Sequence, residues 1–413
     1  MKENHFATSR RAFLKSTMTL PVALAVAPSL LTQTAIAADA PAPSDALPKR
    51  QLGKNGPQVT MLSMGGMMAA LSVDYIDIAW SMGIRYFDTA AVYMNGQSEK
   101  IYGQWLAKYP ERRKEIFLVS KDHPHAGPGR MGPEQLLEMV DRRLAAIGTT
   151  YLDALYIHGI GPKEYGEDSL NWPKSDAFKK TAEALKSSGK VKMVGFSCHD
   201  GRLTDYLNAA AQGGFVDIIM LAYNPFYPKG GPLDQALDAV SKAGVGLVAM
   251  KTMRSTKDVP ARLPEFDKLG LTVHQAVLHS VWSDPRISAV CNMIDNVDQM
   301  TASTAAARSY KAPLSFTHME LLKETILAGR RTMCTGCPSC EAFAKQTRFA
   351  FHDIARFVTY YEQDGNTGAR DYYHALPAEV RDASKVDLAA LRDGCHFKTD
   401  YPGIIRRAER YFA

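Results

Sequence analysis

Residues 116–158 read IFLVSKDHPHAGPGRMGPEQLLEMVDRRLAAIGTTYLDALYIH. Two short apolar runs, IFLVSK and ALYIH, enclose a segment of helical period. Pro133 and Glu134 open that segment, Leu136, Leu137, Val140, Leu144 and Ile147 recur at three- and four-residue spacing, and Gly148 ends it. This is a strand–helix–strand unit, and its two strands finish on ionisable side chains, Lys121 and His158. A second helix of the same kind, SDAFKKTAEALKSSGK, starts at the capping candidates Ser175 and Asp176 and stops at Gly189.

The unit repeats in both directions. Strand candidates are VTMLSM from Val59, RYFD from Arg85, IFLVSK from Ile116, ALYIH from Ala154, KMVGFS from Lys192, DIIMLAY from Asp217, VGLVAMK from Val245 and ISAVCN from Ile287. Eight such runs, each followed by a helix-like stretch within about 280 residues, predict an α/β fold of the (β/α)8 TIM barrel type over residues 48–327. An open doubly wound sheet alternates in the same way, but no Gly-x-Gly-x-x-Gly turn follows an early strand. Beyond residue 327 the pattern changes, and 328–413 reads as a mostly helical C-terminal extension containing cysteines.

The opening residues read differently again. Arg10 and Arg11 precede Phe13, Leu14 and Lys15, then a charge-free, moderately apolar run from Ser16 to Ala38, with Ala35-Ile36-Ala37 as a cleavage site. The paired arginines resemble a twin-arginine address, so residues 1–37 are expected to be a signal peptide handed to the twin-arginine export machinery, placing the protein in the periplasm. Pro21 and Pro28 make the run a poor membrane span; an uncleaved anchor is the alternative. Residues 38–47, ADAPAPSDAL, read as a flexible linker. Cleavage after Ala37 removes Lys2, Arg10, Arg11 and Lys15 with Glu3, lowering the formal charge from +6 to +3 over 376 residues. So weak an excess argues against a nucleic-acid partner. Six cysteines in 413 residues are too few for a disulfide scaffold.

In a parallel barrel the chemistry comes from the carboxyl ends of the strands. Asp88 closes the second run, Tyr93 follows five residues on, Lys121 closes the third and His158 the fourth. A phenol of pKa roughly 10 is a reluctant acid at neutral pH, and a nearby cation lowers that value. Tyr93 is therefore the candidate general acid, Lys121 its tuner, Asp88 the support for the lysine and His158 the guide for a carbonyl oxygen. Reduction of a small carbonyl compound fits this set. His123 and His125, just past Lys121, read as a polar loop, with His123 placed to line the substrate pocket.

The stretches GIRYFDTAAVYMNGQSEKIYGQWL, FLVSK, LDALYIHG and GKVKMVGFS, in this order, resemble the landmarks of the aldo/keto reductase family from Arg50 to about Ala307. The resemblance implies the eight-stranded barrel and places Asp88, Tyr93, Lys121 and His158 on the family's catalytic tetrad. It also implies that Gly65, Gly66, Met67, Ser197, Cys198 and Tyr223 contact an NAD(P)H cofactor, with Tyr223 against the nicotinamide. Two departures bear on that. Ser197 is followed by Cys198 where family members commonly carry asparagine, and after the eighth strand Asp295 and Asp298 stand where NADP users offer a basic residue.

Cys334, Cys337 and Cys340 follow the Cys-x-x-Cys-x-x-Cys spacing that presents three thiolates to one iron–sulfur cluster. The fourth ferredoxin position holds Ala344, which leaves Cys395 as the distant ligand of one 4Fe-4S cluster. A four-thiolate zinc site and a pair of disulfides are the alternatives. A branch of the aldo/keto reductases is similar in carrying ferredoxin-like cysteines after the barrel. The expectation is thus an exported oxidoreductase with a metal-binding tail and a redox partner protein. The rival is an iron–sulfur electron-transfer or zinc-stabilised binding protein on a barrel that no longer uses NAD(P)H.

Overall fold

The computed structural model describes residues 46–412 apart from 69, 125–130, 254–255, 257–258, 329–333, 335–339, 341–342 and 344–345. The segment expected to be the signal peptide, most of the linker, and also His125 and Cys337, lie outside the described residues.

The chain enters through an antiparallel hairpin, β1 (Lys49–Gln51) and β2 (Gln58–Thr60). Eight parallel strands follow: β3 (Leu62–Gly65), β4 (Tyr86–Asp88), β5 (Phe117–Asp122), β6 (Leu152–Ile157), β7 (Val191–Cys198), β8 (Ile218–Ala222), β9 (Gly246–Met250) and β10 (Ile287–Asn292). They close into a barrel, with β10 pairing to β3. One expectation is corrected here. The run from Val59 to Met64 is not one strand: Val59 and Thr60 pair with Arg50 and Lys49 in the hairpin, and the barrel strand begins at Leu62. The hairpin plugs the amino end of the barrel, where Arg50 donates to the carbonyls of Ile287 (2.9 Å) and Trp282 (2.6 Å). Leu47, assigned to the linker by its sequence, is already buried in the core.

Strand alternation sorts side chains into two layers. Tyr86, Phe117, Val119, Ala154, Tyr156, Met193, Ile218, Met220, Val248, Ala289 and Cys291 fill the barrel, while Phe87, Leu118, Leu155, Phe196, Leu221 and Val290 pack outward against the helices. The intervening helices keep the caps the sequence suggests. α1 (Pro133–Ile147) ends at Gly148 in the left-handed region, and in α2 (Asp176–Ser187) the Ser175 hydroxyl accepts from Phe178 N–H.

The extension is helical, as expected, and shares a core with the barrel. Phe266, Val273, Ala276 and Val277 pack with Leu322 and Ile326, then with Phe351, Ile354, Val358, Tyr401 and Ile404. Its longest helix, α3 (Phe351–Asp364), lies across the carboxyl ends of the barrel strands. His352, Arg356 and Tyr360, four residues apart and so on one face, meet Gly201, His199 and Lys251 in the loops after β7 and β9. Among the described residues no helix is long and apolar enough to cross a membrane.

Candidate active site

Asp88 ends β4, Lys121 lies next to last in β5, and His158 follows β6. All three therefore open on the same end of the barrel. Tyr93 is brought there by a short loop whose backbone is tied to β5, Thr89 N–H donating to Val119 (3.0 Å) and Ala91 N–H to Lys121 (2.9 Å). The loop turns back through Met94 (φ 51°), Asn95 (φ 54°) and Gly96 (φ 80°), consecutive left-handed residues. A methionine there costs on the order of 1–2 kcal/mol, so the surroundings must hold the turn. Ser98 does part of this, bridging Thr89 Oγ1 (2.7 Å) and the Gly66 carbonyl (2.9 Å).

The centre of the site is Lys121, 1% exposed, whose Nζ donates to Asp88 Oδ1 at 2.5 Å, the Thr89 carbonyl at 3.0 Å and Tyr93 Oη at 3.1 Å. Burial works against the ammonium, but Asp88, Tyr93 and Cys291 outweigh it and its pKa is raised. Tyr93 departs from the expectation that its neighbouring cation makes it acidic. Burial pushes its phenol up, Lys121 offsets only part of that, and the pKa reaches about 12. The phenol thus carries its proton throughout the neutral range. Cys291, unassigned by its sequence, sits beside Asp88 inside the barrel, and burial together with that carboxylate keeps its thiol protonated.

His158 is uncharged: burial first, then Lys121, His123 and Lys251, hold its pKa well below the ordinary value. Its Nδ1 is buried without a hydrogen-bond partner, so the tautomer that orphans no N–H carries the proton on Nε2. The ring meets Tyr93 edge-on at 5.5 Å and stacks on His123 at 4.6 Å. His123 is thus part of the mouth, with its Nδ1 3.2 Å from Tyr165 Oη.

The six residues expected at the cofactor divide. Gly65 and Gly66 pack tightly beneath the mouth; a Cβ on Gly66 would come within 2.6 Å of the Asp88 carbonyl. Met67 stands at the rim, 54% exposed. Ser197 lies in the barrel wall and accepts from Gly159 N–H at 2.9 Å. Cys198 and Tyr223 stand apart from these four. One residue past the inward-facing Ser197 and Ala222, strand alternation turns them outward, and both are buried in the layer between strands and helices. Tyr223 Oη donates to Asp284 (2.7 Å), a carboxylate clamped by Arg286. Past β10, Asp295 and Asp298 flank the start of the helix Val297–Ser309, while Arg308 at its far end donates to Met82.

The described cysteines of the extension lie around Tyr401, but among the described residues no three His, Cys, Asp or Glu side chains are grouped to hold a metal ion. Tyr401 Oη donates to Cys334 Sγ at 3.3 Å, and its pKa is driven up by burial and then by Cys334, Cys340 and Cys395. Cys340 Sγ lies 3.2 Å from His352 Nε2, and Cys395 Sγ 3.5 Å from Thr399 Oγ1. Sequence reasoning missed His199, Lys251, His352, Arg356 and Tyr360; the four-residue spacing of the last three was the available signal.

Residues 59–269, half of the chain, match the model of the aldo/keto reductase family. The chain belongs to that family. Over 222 residues it is 26% identical to the D-threo-aldose 1-dehydrogenase of a Pseudomonas species, covering 47% of this chain and 64% of that protein. Over 209 residues it is 24% identical to the L-galactose dehydrogenase of Arabidopsis thaliana, covering 48% and 63%. The chain spans less than two-thirds of the length of these curated relatives. An aldo-keto reductase from Bacillus halodurans has the same fold, with a TM-score of 0.50 and 21% identity over 68% of this chain and 96% of that one.

Proposed function

We propose that this chain is an exported, periplasmic oxidoreductase that reduces a small-molecule carbonyl, or oxidises the corresponding alcohol, with Tyr93 as general acid and base. The observation that carries the reading is the buried line from Asp88 through Lys121 to Tyr93, ending beside a neutral imidazole. His158 donates to the carbonyl oxygen and orients it. Tyr93 gives that oxygen its proton as the carbon is reduced, and Lys121, held by Asp88, stabilises the phenolate left behind. NADH or NADPH, when bound, supplies the hydride, and Ser197 with the Gly65–Gly66–Met67 turn would hold it.

Cys334, Cys337, Cys340 and Cys395 are proposed to hold one 4Fe-4S cluster, zinc being the alternative for the same four thiolates. The spacing of Cys334, Cys337 and Cys340 carries this reading, and the Tyr401 hydroxyl that donates to Cys334 and the His352 ring beside Cys340 suit thiolate ligands, although the described residues alone form no metal-holding group. Bound there, a cluster supplies one-electron exchange with a redox partner protein. Folding and metal loading before twin-arginine export would keep the thiols from forming disulfides.

A second reading, an electron-transfer or binding protein on a barrel no longer using NAD(P)H, is favoured by Cys198 and Tyr223 turning away from the mouth. One experiment separates them. Purified protein and its Tyr93→Phe variant are incubated with NADH or NADPH and a panel of aldehydes and ketones. Consumption by the first and not by the second supports the reductase; none by either supports the second reading.

A further inference from the structure

We propose that Lys251 and Arg356 form the subsite for an acidic group on the substrate, which makes the carbonyl compound turned over at Tyr93 and His158 an oxo acid. The inference rests on the reading of the chain as a carbonyl reductase and names the substrate class of that same site. Lys251 directly follows β9, at the end of the barrel where the tetrad opens. Arg356 reaches that end from the extension helix α3, one turn before Tyr360.

The backbone singles out the lysine. Among the described residues of the barrel, left-handed backbone at a residue other than glycine occurs at Met94 and Asn95, beside the catalytic tyrosine, and at Lys251 (φ 61°). A side chain makes that conformation unfavourable, and residues held in it gather at active sites and ligand clamps. Two contacts hold this one. The Met250 carbonyl accepts from Tyr223 N–H at 3.2 Å, and Lys251 Nζ donates to Tyr360 Oη at 2.8 Å. The half-buried ammonium is thereby fixed against the extension helix.

Arg356 stands beside it. Its Nη1 donates to His199 Nδ1 at 2.5 Å, so that imidazole carries its proton on Nε2 and is uncharged. Its Nη2 pairs with the buried Asp353 at 2.8 Å. Lys251 and Arg356 give this edge of the mouth a positive field that Asp353 offsets only in part. The field extends to the chemistry: after burial, Lys121 and His123, Lys251 also lowers the pKa of His158. A carboxylate seated here meets a point charge and a planar guanidinium, donors suited to such an anion.

The test pairs acidic with neutral aldehydes, 4-oxobutanoate with butanal and 4-carboxybenzaldehyde with benzaldehyde, using NADH or NADPH. Wild type, Lys251→Met, Lys251→Arg and Tyr360→Phe are compared, each checked by thermal melt. The quantity read is kcat/KM for the acid divided by that for its neutral partner, a ratio that a general structural defect leaves unmoved. The expected result is a ratio above one in wild type and a fall of about 10–100-fold in Lys251→Met. Lys251→Arg should keep most of the ratio. Tyr360→Phe, which keeps the ring 5.5 Å from the ammonium and loses the hydroxyl, should show a smaller fall and carries the comparison if Lys251→Met does not fold. A wild-type ratio at or below one, or an unchanged ratio in Lys251→Met, overturns the inference, while turnover of the neutral aldehydes leaves the reductase reading standing. A rise in the NADH KM of Lys251→Met that is equal for acid and neutral aldehydes assigns the lysine to the cofactor's phosphates and overturns it too. If no aldehyde is consumed, the reductase reading falls, and calorimetric titration with succinate decides the subsite by itself: binding by wild type that Lys251→Met loses upholds it, and no binding overturns it.

Discussion

Lys121 Nζ stands 3.1 Å from the phenol oxygen of Tyr93 and 2.5 Å from Asp88 Oδ1, with the Thr89 carbonyl at 3.0 Å as the third acceptor. All three ammonium protons are thereby used, and the cation cannot swing away from the tyrosine. Tyr93→Phe should keep its thermal midpoint and lower carbonyl turnover by about 10²–10⁴-fold. Lys121→Met should lose turnover as well and also be destabilised by about 3–5 kcal/mol, because it strands a buried carboxylate. Thermal melts beside steady-state rates distinguish the two; equal melting points would contradict the buried pairing.

Tyr93 titrates near 12, pushed up by burial with Lys121 opposing, and His158 well below its ordinary range. Reduction needs the protonated phenol and the neutral imidazole, and both are present across neutrality. The reduction rate should therefore be level between pH 6 and 8 and fall only on the acid side, as His158 gains a proton. Oxidation of the alcohol needs the phenolate, so its rate should climb with pH throughout that interval. A bell centred near pH 7 in the reduction direction would contradict these protonation states.

Asp295 and Asp298 sit where the helix after β10 begins, and Arg308 is occupied at its far end. A 2′-phosphate approaching that helix start would meet two carboxylates. If nicotinamide is used, NADH should be preferred over NADPH. Asp295→Lys should lower the NADPH KM about fivefold relative to NADH, the equivalent of about 1 kcal/mol of surface electrostatics. KM ratios for the two cofactors decide it.

Cys334, Cys340 and Cys395 all bear on Tyr401, whereas Cys198 is packed among the barrel helices. Cys334→Ser and Cys395→Ser should each lose most bound iron on elemental analysis, and Cys198→Ala should retain it. Zinc in place of iron in the untreated protein would instead identify a structural site.

The barrel was legible because eight branched-chain runs and capped helices repeat at one interval, and the tetrad because strand ends are where such folds expose polar groups. Strand ends alone do not say which face a side chain takes. Counting in twos from Ser197 and Ala222 turns Cys198 and Tyr223 away from the mouth on the sequence alone. Tyr93's elevated pKa was beyond reach for another reason: the lysine is visible in the sequence, but the depth at which both are buried is not. The split of the Val59–Met64 run was hidden as well, since hairpin and barrel strand carry the same apolar residues with only Met61 between them.

The helix bearing His352, Arg356 and Tyr360 works as a ruler. One residue inserted between the first and last of these would rotate everything beyond it by about 100° and advance it by about 1.5 Å, lifting at least one of the three from its loop. The register between His352 and Tyr360 is consequently as tightly specified as its chemistry, and length changes there are the ones this segment cannot absorb.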